Sequence, residues 1–369
     1  EQGLPFDAVR DLLIDDEQLV WPVGFGGVAT FLGRSFESFG IDDGLPSRNV
    51  RPVLRDSSGT LWVGTLRGLA RWSDGRFEKE EIEDVPWARV LHLLEDSRNT
   101  LWVATSSGLH RREGDRFQRV FRFSDEAWVD QLAEGADGAI WAMQRGSGPK
   151  RSRDGENFEA VEVPGQTFRN GRIMVHSDGS VWVSGDRGLS RFDGRRWQTW
   201  TVDDGLAGPE PYYLCEDSEG AIWFGYHASL GLTRFDGKTF RTYDEDDGLT
   251  NPAVYSLGVD GHGNLWIGTA RGVDRFDGER FVNYGKAEGY ASAESNSAGF
   301  FLDDDGSLWF GTAEGLSHHR PEQEIDLAAA PRVEVAQLDF EGTRLESGAD
   351  VPWRKGTVKA HVAVLTYVE

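Results

Sequence analysis

The sequence holds a single cysteine, Cys215, and two methionines in 369 residues. One thiol excludes an internal disulfide, so the fold rests on packing and hydrogen bonding, and the compartment stays open. Long stretches rich in Ala, Glu, Lys and Leu are missing, which argues against a helical architecture. No apolar run approaches the roughly 20 residues that cross a bilayer. The opening EQGLPFDAVR lacks the charged and apolar segments of a signal peptide. It is expected to be a cut or mature terminus, with any membrane anchor outside these residues. Basic residues are few, 39 Lys and Arg against 62 Asp and Glu, for a formal charge of −23. Nucleic acid is therefore not an expected partner, because a polyanion needs clustered Lys and Arg. The acidic surface reads as a solubility device.

What the chain has in abundance is glycine (46), phenylalanine (21) and tryptophan (14), a composition for many short strands broken by tight turns. One phrase recurs: DSSGTLWVGTLRGLARW at 56–72, DGHGNLWIGTARGVDRF at 260–276 and DDDGSLWFGTAEGL at 303–316. Its tryptophan falls at Trp21, Trp62, Trp102, Trp141, Trp182, Trp223, Trp266 and Trp309, in steps of 41, 40, 39, 41, 41, 43 and 43 residues. A unit of that length, repeated, is a four-stranded propeller blade. Within it a short apolar strand ends at an Asp that can hold the backbone two residues on, and a glycine supplies positive φ. The Trp and the small residue two positions later share a face of the next strand. Phrases such as SDG and FDG then turn the third strand into a fourth. Each buried indole removes about 150–250 Å² from water, on the order of 4–6 kcal/mol gross, so the tryptophans are framework. The expected fold is all-β: a propeller of eight four-stranded blades over 1–325, alternatively seven with Trp21 marking an extra piece. The fourth strand missing near 318–325 is expected from residues upstream of Glu1.

The phrase D-x-x-G-x-L-W-x-G-T-x-x-G-L-x-R-F resembles the two-component regulator propeller repeat of bacterial sensors. The opening EQGLPFDAV is similar to the first blade of such sensors. The tail, 326–369, resembles a linker and the first strands of the immunoglobulin-like β-sandwich, named for three tyrosines, that follows these propellers, although only Tyr367 is present. The resemblance implies a periplasmic or extracellular sensor that passes a ligand signal through the sandwich to membrane and output modules absent from this chain. It further implies a homodimer in the full-length protein.

In a propeller the connections into the innermost strand and those between the second and third strands share one face, around the tunnel mouth, which is the default ligand site. Variable residues at the start of the innermost strand are Arg51, Trp87, Arg89, Trp128, Arg169, Tyr212, Tyr255 and Asn296; Asn49 and Asp130 fall there too. The second-to-third turns add Arg67, Arg145, Arg187, His227 and Arg271, with a two-residue insertion, GYHASLGL, in the sixth unit. Rings that stack on sugar faces, with guanidinium forks and amides for hydroxyls, suit a small polar ligand or oligosaccharide. No cofactor is expected. No metal site is expected either: DDDGS at 303–307 and DEDDGL at 244–249 lack EF-hand spacing, and no histidine falls in a zinc motif. Two other classes stay open: a streptogramin-lyase-like enzyme with His227 or His262 as base, and a protein-binding scaffold.

Overall fold

The computed structural model describes residues 9–14, 20–24, 27–28, 35–82, 85, 87–121, 128–226, 228–321, 332–340, 343–345 and 358–365. Seven antiparallel four-stranded sheets follow one another along the chain, the alternative to the eight expected first. The first blade comprises Val50–Arg55, Leu61–Thr65, Gly68–Ser73 and Arg76–Glu80. The innermost strands of blades 2 to 7 are Val90–Glu95, Val129–Glu134, Arg172–Val175, Pro211–Glu216, Val254–Val259 and Ser295–Leu302. Each contacts the innermost strand of the next blade, and the seventh contacts the first, so the ring is closed.

The wedge between blades is the repeated tryptophan. All seven in the ring are buried, the most exposed being Trp309 at 6%. Trp62 packs on Leu101 and Val103 of blade 2, and Trp266 on Leu308 and Phe310 of blade 7. Trp309 packs on Leu61 and Val63 of blade 1, completing the circuit. The small residue two positions on admits the neighbouring blade: a Cβ on Gly64 would lie 2.6 Å from the Val90 side chain, and one on Gly225 would lie 2.6 Å from that of Val254. The turn aspartate has two tasks. Asp56 accepts from the Ser58 backbone at 3.0 Å, as expected, and from the Trp62 indole at 2.7 Å. The second bond recurs at Asp96–Trp102, Asp217–Trp223, Asp260–Trp266 and Asp303–Trp309, at 2.7–2.9 Å.

Among the described residues there are seven four-stranded blades and no eighth. Trp21 lies in a separate three-stranded sheet of Val9–Ile14, Val20–Gly24 and Gly27–Val28. The strand after it, Phe36–Phe39, leaves that sheet and pairs with Leu316–His319 as the outer strand of blade 7. The missing fourth strand of the last blade is thus supplied by residues 36–39 rather than from upstream of Glu1. Closing the ring in this way leaves no unpaired strand on the blade where the repeat runs out. Arg55 of blade 1 completes the seam with two hydrogen bonds of 2.7 Å to Asp303 of blade 7.

The ring forms one compact unit, Arg34–Glu322, and residues 1–33 with 323–369 form another. In the second unit, Arg332–Phe340 pairs with Thr343–Leu345 and with Val358–Leu365 to make a three-stranded antiparallel sheet. Tyr367 lies outside the described residues. No helix among the described residues is long and apolar enough to cross a membrane.

Candidate functional site

The two connections expected at the tunnel mouth do meet. The turn between the second and third strands hydrogen-bonds the residue that leads into the innermost strand of the same blade: Leu66 N to Asn49 O at 3.1 Å, Ser106 N to Arg89 O at 2.9 Å and Arg145 N to Trp128 O at 2.8 Å. Inside the turn, Thr65, Thr105 and Thr269 donate to a carbonyl three residues on and accept from an amide two residues on. That anchor presents Arg67 and Arg271 outward, and both are exposed.

Below the mouth, side chains of the innermost strands converge. Ten positions ahead of the seven ring tryptophans stand Pro52, His92, Gln131, Arg172, Tyr213, Ser256 and Gly299. Arg172, only 6% exposed, donates to the Tyr212 hydroxyl and, at 3.0 Å, to the Gly171 carbonyl. Its guanidinium carbon lies 4.0 Å from the Tyr212 ring centre and 5.4 Å from that of Tyr213, within cation–π range. Two consecutive tyrosines reach one cation because the strand is irregular: the register shifts between Tyr212 and Cys215, and Tyr213 has φ 57°. The Tyr213 hydroxyl meets the Ser297 hydroxyl of blade 7 at 2.8 Å, near a second left-handed residue, Ala298, at φ 56°. Non-glycine residues in that region are strained, and such strain clusters where ligands are held.

Charge at this place is positive. Arg51 comes in from blade 1, and its Nε is buried with no hydrogen-bond partner among the described residues. Burial pushes the Arg51 guanidinium below its ordinary value; Tyr213 opposes this, and Arg172 and Arg145 add to it. Burial, with Arg172 second, holds His92 down at about 4, so its ring is neutral at pH 7. Arg145 is matched, holding Asp130 through two bonds of 2.6 and 2.9 Å. It also lies 4.3 Å from the centre of the Trp128 ring, which Arg89 approaches at 5.2 Å.

Of the residues expected at the mouth, Arg51, Tyr212 and Arg145 therefore belong to the cluster, with Trp128 and Arg89 on its rim. Asn296 braces the ring instead, donating to Asn49 Oδ1 and the Val50 carbonyl, both at 2.9 Å. Arg169 pairs with Glu210 of the next blade at 3.0 Å. Trp87 is exposed, with Lys79 Nζ 3.6 Å from its ring centre. Arg187 is exposed as well, Tyr255 is partly buried beside Glu294, and His227 lies outside the described residues. His262, the other base considered, sits in the turn after an innermost strand, at the end of the blade opposite the mouth. It lines a depression of about 380 Å³ with Asp305, Ser307 and Arg320. Arg172, Tyr213, His92 and Gln131 are absent from the sequence-derived set. Aligning the units on their tryptophans and reading ten positions back is the signal that finds them. Among the described residues no group of three or more His, Cys, Asp or Glu is placed to hold a metal ion.

Residues 44–67 and 248–271 match the family model described as two component regulator propeller. These two stretches are similar to two-component regulator propeller repeats. Each matched stretch runs from a left-handed glycine, Gly44 or Gly248, through the innermost strand and the tryptophan strand into the following turn. No curated protein matches the sequence. Among solved structures, the fold is similar to the extracellular domain of BT3049 from B. thetaiotaomicron, named for a hybrid two component system. The two are 19% identical with a TM-score of 0.74, over 96% of this chain and 50% of that one. The extracellular domain of BT4673 from the same organism, named for a one component system, is similar at 17% identity and TM-score 0.62, over 93% and 49%. This chain thus spans about half the length of either. A streptogramin B lyase is similar at 16% identity and TM-score 0.64, over 79% of this chain and 98% of the lyase. At these identities the likenesses establish the fold alone.

Proposed function

We propose that this chain is the ligand-sensing, extracytoplasmic part of a bacterial two-component receptor, binding a small polar ligand or oligosaccharide at the tunnel mouth without turning it over. The observation that carries the reading is the convergence of guanidinium, phenol and indole groups from different blades on one axial place, in a ring two stretches of which match this family's model. Such a set binds and orients through stacking and hydrogen bonds. His262, one of the two bases considered for a lyase, sits at the opposite end of its blade from the cluster.

Signalling requires that the ligand favour one of two arrangements, since equal affinity for both shifts nothing. Transmission through a β-sandwich begun by 331–369, to membrane and output modules and within a homodimer, belongs to the same proposal. The test is a thermal-shift screen of the whole chain with neutral and acidic saccharides, because a ligand of the native state raises Tm by mass action. A saccharide that raises Tm in the wild type and fails to do so in Tyr212→Ala is the expected outcome. Chemical turnover of that saccharide would replace the reading with the enzyme.

A further inference from the structure

Among the described residues the axial cluster sets three guanidiniums, Arg51, Arg145 and Arg172, against one carboxylate, Asp130. Arg145 has its carboxylate in Asp130. Arg172 donates to neutral oxygens, the Tyr212 hydroxyl and the Gly171 carbonyl, and shares with Arg145 the negative field of Asp130. Arg51 keeps a buried Nε with no acceptor among the described residues. Two guanidiniums that repel one another in a half-dry place are unfavourable unless something negative joins them. In a chain of formal charge −23 carboxylates are plentiful, so leaving two cations together here is a specific arrangement. The cluster also holds the ring's two strained residues on innermost strands, Tyr213 and Ala298, bridged through Tyr213 and Ser297. The strain keeps a phenol beside the cations, where its ring face can stack on the body of a ligand.

We propose that the axis is an oxyanion site: an acidic saccharide seats its carboxylate or sulfate on Arg51, whose buried Nε offers the free donor, with Arg172 as the second cation and Tyr212 and Tyr213 against the ring. A planar guanidinium edge meets a carboxylate or sulfate with two parallel N–H bonds, which a sugar hydroxyl cannot reproduce. This rests on the tunnel mouth being the ligand site and names the chemical class that it takes.

The experiment is a titration of the whole chain, followed by Tm and by calorimetry, with glucuronate, glucose 6-sulfate and glucose at matched ionic strength. Glucuronate or the sulfate ester should raise Tm and glucose should not; which of the two acts identifies the source of the oxyanion. Arg51→Met should weaken binding more than tenfold while raising the ligand-free Tm, because it removes an unmatched buried charge. Arg51→Lys, which keeps the charge and loses the fork, should recover only part of the affinity. Arg187→Ala, in an exposed turn, should bind as wild type. Equal shifts with glucose and glucuronate, both kept in Arg51→Met, would overturn the oxyanion site and leave the sensing reading standing. A Tyr212-dependent shift from neutral oligosaccharides with none from any acid would do the same. No shift with any saccharide would overturn both. A lower ligand-free Tm in Arg51→Met would overturn the inference by making Arg51 a structural residue.

Discussion

Asp260 carries two kinds of bond in four atoms of side chain. One oxygen accepts from the backbone of His262 and Asn264, both at 2.9 Å, and the other from the Trp266 indole at 2.8 Å. The turn thereby fixes the rotamer of the residue that wedges the next blade. Asp260→Ala leaves an indole N–H buried without an acceptor, which costs about 1–3 kcal/mol. Asp260→Asn keeps an acceptor and should lose clearly less. Urea midpoints of the two variants check this, and equal losses would show that the indole bond is immaterial. The first role of this aspartate was legible in the sequence from the turn glycine that follows it. The second was not, because it depends on how far the strand carries the tryptophan back toward the turn. Blade 4 shows how tolerant the arrangement is: His176 stands at the aspartate position, and the Trp182 indole donates to Ser180 at 3.1 Å instead.

Among elements, the four-residue strand Phe36–Phe39 has the largest consequence for its length. Phe36 is 1% exposed and meets Tyr284, Tyr290 and Phe310 edge-on at centroid distances of 5.8, 5.3 and 5.8 Å. Phe36→Ala should cost about 3–5 kcal/mol through the cavity and lost contacts. Because the strand is the seam of the ring, the loss should appear as faster hydrogen exchange in Leu316–His319 before other blades. Uniform exchange across all blades would contradict that. The blade unit was legible from tryptophan spacing, as was the role of the glycine two residues later. The count was not, since eight tryptophans share the phrase and only strand pairing shows that the strand after Trp21 serves the last blade rather than its own.

For the whole molecule, acid is the expected enemy. His92 and His318 have folded values near 4, each lowered first by burial and then by a nearby arginine, Arg172 and Arg320 respectively. Below the ordinary histidine value of about 6.5 the unfolded chain takes up protons that the folded one refuses, so stability should fall as pH drops from about 6.5 to about 4. The loss is up to about 3 kcal/mol for each ring. Depressed carboxylates such as Asp56 and Asp303 lose their share at lower pH still. Urea midpoints between pH 7 and 4.5 should show the slope, and His318→Gln should flatten part of it; an unchanged slope would remove His318 from the account. The candidate site was only partly legible at this scale. Arg51, Tyr212, Trp128 and Arg145 stand out as variable residues at strand starts and turns. Arg172 and Tyr213 lie one residue deeper, at a position that points to the axis only once strand irregularities and ring closure are known.

The seam of blade 7 has a mechanical corollary. Both places where the toroid joins the rest of the chain, just before residue 35 and just after residue 321, flank the two strands of one short ladder. The toroid is therefore hung from a single peg. A pull on either flank loads four residue pairs, from Phe36 with His319 to Phe39 with Leu316, before it loads any other sheet. Under tension the circle should part there, and a wedge that tightens the hub would be felt first at the same peg.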